Sequence, residues 1–149
     1  MDLKKYDVIY CDIDDTIILG WFEKVLDISW RLFESPKLFQ ILAKIQAKFK
    51  LYKENTRFLQ MLSSYTGPIV FLTARSESPA TRKILVDVMY KYVDLIQIEL
   101  HELASYNPTL DKLKYIQLHT VVDGVLFDDN PMIRHSCAKE VDVFDARFI

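Results

Sequence analysis

Short runs of apolar residues recur along the chain, most of them ending in a polar residue. Val8-Ile9-Tyr10-Cys11 ends at Asp12, and Ile69-Val70-Phe71-Leu72 ends at Thr73. Leu95-Ile96-Gln97-Ile98 is a weaker third run. Val121-Val122 and Val125-Leu126-Phe127 bracket a fourth, ending at Asp128, and Val141-Asp142-Val143-Phe144 is a fifth. Continuous apolar runs fit strands buried on both faces, as in a parallel sheet. Between them the period changes to that of a helix. Asn55 to Tyr65 carries Phe58, Leu59 and Leu62 on one face. Ser78-Pro79 is an N-cap followed by proline at the first helical position, and its helix is expected to reach about Tyr92. Asp111 to His119 and Pro131 to Lys139 read as two more helices. Alternating strands and helices predict an α/β class, doubly wound as a three-layer Rossmann-like fold around a parallel sheet.

Residues 17–54 break the alternation and read as a small helical insertion after the first strand. One helix is expected from about Trp21 to Phe33. A second starts at Ser35-Pro36 and runs to about Lys50, with Leu38, Phe39, Leu42, Ile45 and Phe49 as its apolar stripe. Lysines 37, 44, 48, 50 and 53 fall here with no intervening acid. They read either as a solvated face or as a lid that draws in an anion. Trp21, Phe22 and Trp30 either pack the insertion on the core or line a binding surface.

Composition narrows the picture. At 149 residues, half of them hydrophobic, residues 1–149 form a single domain with a real core. The net charge of −2 excludes a globally basic nucleic-acid binder. Three glycines, none clustered, exclude a P-loop or a dinucleotide fingerprint. Cys11 and Cys137 read as two buried, reduced thiols. No signal-peptide pattern or membrane-length apolar stretch is present, so the cytoplasm is the default expectation.

Ligands of doubly wound folds bind at the carboxyl ends of the strands. Those ends carry Asp12-Ile13-Asp14-Asp15-Thr16, then Thr73-Ala74-Arg75, then Asp128-Asp129-Asn130-Pro131, with Lys112 and Lys114 near a helix start. Crowded carboxylates repel unless a cation joins them. Mg²⁺, a hard cation with oxygen ligands, answers that need. Together with a hydroxyl, backbone N–H groups and a lysine, the set matches the demands of phosphoryl transfer.

In their order and strand placement, the residues Cys11 to Thr16, Val70 to Arg75, Lys112 and Leu126 to Asp129 resemble the four motifs of the haloacid dehalogenase (HAD) superfamily of phosphotransferases. The resemblance covers about residues 6–16 and 55–147. It implies a HAD-like fold and a Mg²⁺-dependent phosphatase with Asp12 as nucleophile, forming an aspartyl-phosphate. It implies Asp14 as general acid and base, with its backbone carbonyl toward the metal. Thr73 and the Ala74 amide would bind phosphate, and Lys112, preferred over Lys114, would neutralise charge. Asp129 would ligate Mg²⁺ with support from Asp128, so the implied metal set is Asp12, Asp14, Asp128 and Asp129. Arg75 either binds substrate or makes a structural pair. Asp15 and Thr16 read as turn residues.

The insertion sits where the family places its first type of cap. A cap this small leaves the site open, to bulky substrates or to a homo-oligomer partner as lid. The Leu-Thr-Ala-Arg and Asp-Asp elements also look similar to polynucleotide 3′-phosphatases and some nucleotidases. The expected substrate is a nucleotide, a nucleic-acid end or a small phosphorylated metabolite. The competing readings are a non-catalytic HAD-like scaffold and, far behind, a receiver-type signalling module.

Overall fold

In the computed structural model, which describes residues 1–120 and 122–149, the apolar runs assemble side by side. In chain order the elements are β1 (Val8–Cys11), β2 (Ile18–Leu19), α1 (Phe22–Phe33), α2 (Pro36–Phe49), β3 (Lys53–Glu54), α3 (Thr56–Leu62) and β4 (Ile69–Thr73). There follow α4 (Pro79–Met89), β5 (Ile98–Glu102), α5 (Pro108–His119), β6 (Gly124–Phe127), α6 (Pro131–Cys137) and β7 (Asp142–Phe144). Five of these strands form one sheet in the order β5-β4-β1-β6-β7, and every pairing in it is parallel. The chain builds outward from β1 through β4 to β5, then crosses back to β6. That reversal is the topological switch of an open α/β sheet.

Both faces of the sheet are covered, which is why its central strands β1, β4 and β6 are almost wholly apolar. Ile9, Cys11, Ile69, Phe71, Val125 and Phe127 point to one side and pack with Phe58, Leu59 and Leu62 of α3 and Ile84, Leu85 and Val88 of α4. Tyr10, Val70, Leu72 and Leu126 point to the other, against Ile116 of α5 and Ile133 and Cys137 of α6. The result is an α/β, Rossmann-like three-layer arrangement. Each fully buried large side chain contributes about 1.5–3 kcal/mol. Cys11 and Cys137 are buried and unbonded to one another, as expected. Among the described residues, no helix is long and apolar enough to cross a membrane.

Four expectations need correction. The run Leu95-Ile96-Gln97-Ile98 is not a strand. Leu95–Gln97 is a 3₁₀ turn, capped by Asp94 and tied down by Gln97, whose Nε2 donates to the Tyr65 and Gly67 carbonyls. The strand begins only at Ile98. The fourth strand starts at Gly124; Val122 precedes it, and Val121 lies outside the described residues. Helix α5 starts at Pro108, because Asn107 Oδ1 accepts from the Leu110 N–H, so Lys112 lies in its second turn. Helices α4 and α6 stop at Met89 and Cys137, two to three residues short of the sequence reading.

The insertion is not purely helical. Its two ends pair as the antiparallel ribbon β2–β3, two residues per strand and too short to leave a hydrophobic pattern. Between them α1 and α2 form a hairpin, reversed at Glu34, whose φ of 46° is left-handed. The inward face of α2 is Phe39, Ala43, Gln46 and Ala47. Ile45 and Phe49, expected in the stripe, are 38% and 63% exposed. Small residues on the inner face bring the helix close to the core, and a glutamine rather than a large apolar side chain faces inward.

Asn55 closes the insertion against the sheet domain. Its Nδ2 donates to the Thr16 carbonyl at 2.9 Å and the Ala146 carbonyl at 3.2 Å, while Oδ1 caps α3 at the Phe58 N–H. Asn55→Ala orphans two buried carbonyls and removes a cap, so it is expected to destabilise the protein by about 2–3 kcal/mol. Urea denaturation measures this; a change within about 0.5 kcal/mol, the range of an ordinary surface substitution, contradicts it.

Candidate active site

Sheet register brings the chemistry together. Cys11 pairs with Phe127, so Asp12 and Asp128 leave adjacent strands side by side. Their backbones are held as well: the Asp12 N–H donates to the Phe127 carbonyl and the Asp128 N–H to the Phe144 carbonyl. The Lys112 ammonium reaches between them from α5. It donates to Asp12 Oδ1 at 2.9 Å and to Asp128 Oδ2 at 2.6 Å, and the residue is only 2% exposed. Lys114 is exposed on the other side of the helix. The two lysines are thereby distinguished by position.

Electrostatics follow from burial. Burial pushes the Asp12 carboxyl well above the usual range, and Lys112 opposes this while Asp128 and Asp14 add to it. Burial also works against the charge on Lys112, but the two carboxylates outweigh it and raise its pKa. Asp129, half-buried beside Asp128 and Asp15, is pushed up to about 6, mainly by burial.

Asp12, Asp128 and Asp129 each offer a carboxylate oxygen, and these oxygens lie within 4.8 Å of one another. This all-oxygen set suits a hard divalent cation. The pKa values of Asp12 and Asp129 are raised first by burial and then by neighbouring carboxylates, and a bound cation would offset both effects. The Asp14 carboxylate is outside the group. Arg75 holds it through two parallel hydrogen bonds, Nε to Oδ2 at 2.8 Å and Nη2 to Oδ1 at 2.6 Å. The same guanidinium donates to Gln46 Oε1 of α2 at 2.9 Å. Arg75 therefore makes a buried structural pair, and it links the strand end to the insertion.

Thr73 is buried at the end of β4, and its Oγ1 accepts from the Arg75 N–H at 3.2 Å. Ala74 beside it is exposed. The Thr73, Ala74 and Arg75 carbonyls accept from Leu103, Ser105 and Ala104, locking the loops after β4 and β5 together. Asp15 takes a left-handed φ of 53° and Thr16 hydrogen-bonds back to Ile13, which are turn roles.

Three residues that the sequence reading passed over brace the acidic loop from behind. Arg134 Nη1 donates to the Asp128 and Asp129 carbonyls, both at 2.7 Å, and to Asp145. Arg147 also pairs with Asp145, at 2.7 Å. Against the effect of burial, these arginines hold the Asp145 carboxyl below its usual range. A signal for it existed: Asp145 directly follows β7, in the same strand-end position as Asp12 and Asp128. Glu23 of α1 also faces the site. Burial first, then Asp14 and Asp15, raise its carboxyl to about 7.

Comparison of the chain with protein-family models, with curated proteins and with solved structures finds no match.

Lys112→Met leaves two buried carboxylates without their cation. Breaking such a pair costs about 3–5 kcal/mol. The loss has a defined pH dependence. Without the lysine the folded-state pKa of Asp12 rises further, so stability is retained at low pH and falls as pH rises. The expected result is a larger deficit at pH 8 than at pH 5 in denaturant melts; equal deficits contradict the account.

Proposed function

We propose that the chain is a Mg²⁺-dependent phosphomonoester hydrolase of the haloacid dehalogenase type. The observation that carries this reading is the buried Lys112 shared by Asp12 and Asp128, with Asp129 beside them at the switch point of the sheet. Asp12, Asp128 and Asp129 would hold the metal, which when bound polarises the phosphoryl group and screens it from the carboxylates. The Asp12 carboxylate attacks phosphorus, forming the Asp12–phosphorus bond as the ester oxygen leaves. The leaving oxygen takes a proton from Asp14. Water then attacks the aspartyl-phosphate, giving its proton to Asp14, and inorganic phosphate departs. Lys112 holds the developing charge next to the nucleophile. Thr73 and the Ala74 amide lie at the neighbouring strand end, suited to the remaining phosphate oxygens.

The Arg75 pair bears on this cycle. It engages both carboxylate oxygens of Asp14. To act as acid, Asp14 must leave Arg75 and take up a proton. That lock is also the one observation favouring a second reading, a phosphate-binding protein without turnover.

Asp12→Asn separates the two. The change is isosteric and leaves Lys112 its partner Asp128. Loss of turnover on a panel of phosphomonoesters, with an unchanged circular dichroism spectrum, is the expected outcome. A wild-type protein that binds Mg²⁺ and phosphate but hydrolyses nothing on the panel supports the second reading instead. Metal affinity carries its own prediction. Asp129 must ionise to bind a cation, and its pKa is about 6. Mg²⁺ should therefore raise the Tm at pH 7.5, and the gain should vanish below pH ~5. A gain independent of pH contradicts this assignment.

A further inference from the structure

A cleft of about 350 Å³ opens beside Asp14 and Ala74, between α1 and the loops after β4 and β5. Its volume is at the low end of those that take small organic ligands, enough for one ring system. One wall is aromatic: Trp30 and Tyr106 lie with ring centroids 5.7 Å apart at 34°, and Phe39 supports Trp30 edge-on from behind. Tyr106 is 71% exposed.

The charge of the cleft is also specific. Its cations are both engaged: Arg75 with Asp14, and Arg31 with Asp27 at 3.2 Å. Glu23 and Glu34 complete the lining, and neither has an ion pair among the described residues. None of the five insertion lysines lines the cleft. The five lysines are all exposed, and the acids lining the cleft, Asp14, Glu23, Asp27 and Glu34, outnumber its arginines.

We propose that this cleft binds the leaving group, and that it selects a phosphomonoester whose leaving group carries a flat ring and no second anionic group. The proposal rests on the phosphomonoesterase reading above. A flat ring stacks against Trp30 and Tyr106, Glu34 repels any further phosphate, and Glu23 and Glu34 accept hydrogen bonds from ring amino groups.

The test compares adenosine 5′-monophosphate with ribose 5-phosphate, which share the same leaving oxygen and differ only in the ring. Stacking a base on an aromatic side chain is worth roughly five- to hundredfold. The expected kcat/KM ratio is therefore about tenfold or more in favour of the nucleotide, falling toward one in Tyr106→Ala, an exposed position that spares the fold. Adenosine 3′,5′-bisphosphate should be the poorer nucleotide, and Glu34→Lys should narrow that gap. Equal use of ring-bearing and ring-free substrates, or a ratio untouched by Tyr106→Ala, overturns the cleft assignment and leaves phosphatase activity standing. A binding readout covers a protein that hydrolyses neither substrate. In a Trp21→Phe background Trp30 is the sole tryptophan. Quenching of its fluorescence by adenosine 5′-monophosphate, but not by ribose 5-phosphate, then supports the cleft even as the hydrolase reading fails. No quenching at millimolar ligand overturns it.

Discussion

The Lys112 ammonium, buried between Asp12 and Asp128, is the constraint on which the site depends. Two carboxylates at the ends of adjacent buried strands would repel and would be costly to desolvate. One cation from the facing helix makes their burial tolerable, and the hydrogen bonds to both acids fix where that helix sits. Breaking the set is expensive, whereas an apolar replacement of the whole set would cost little. A set of this kind is thus a poor device for stability alone. Its place at a topological switch point suits chemistry, and it is the observation on which the proposed phosphoryl transfer rests.

Around this centre, polar ties rather than apolar contacts decide the finer geometry. Arg134 and Arg147 hold the Asp128–Asp129 loop by its carbonyls and anchor it to Asp145. Arg75 connects Asp14 to Gln46, and so connects the strand end to the insertion. Asn55 ties the base of the insertion to Thr16 and Ala146. The insertion is therefore coupled to the acidic site at two points, and movement of α2 bears directly on Asp14 through a single guanidinium.

The central strands were legible because burial on both faces leaves an unbroken apolar run, and β1 and β4 show it plainly. Three helix starts were legible because serine or asparagine followed by proline satisfies and shapes the first turn. Asn107-Pro108 carries the same signal, and α5 starts there, about a turn before Asp111. The short ribbon β2–β3 has too few residues for any periodicity. The 3₁₀ turn at Leu95–Gln97 was lost to side-chain hydrogen bonds from Asp94 and Gln97, which override apolar composition. The inward face of α2 was misjudged for a related reason: Gln46 faces inward to meet Arg75, and Ile45 and Phe49 rotate out. Of the site, the residues at strand ends could be read from position. Their partners, Arg75 with Asp14 and Arg134 with Asp145, could not, because those pairs are set by folding across long separations in the chain.

The account stands most directly on Asp12 as the phosphoryl acceptor. The decisive measurement uses an Asp14→Asn variant, in which water activation is slowed, mixed with Mg²⁺ and an aryl phosphate whose leaving group departs without a proton from Asp14, quenched in acid and mapped by mass spectrometry. The account predicts one phosphoryl group on the peptide containing Asp12, discharged by hydroxylamine. Turnover by the wild-type protein with Asp12 never modified, or a phosphoryl group on another residue, would contradict it.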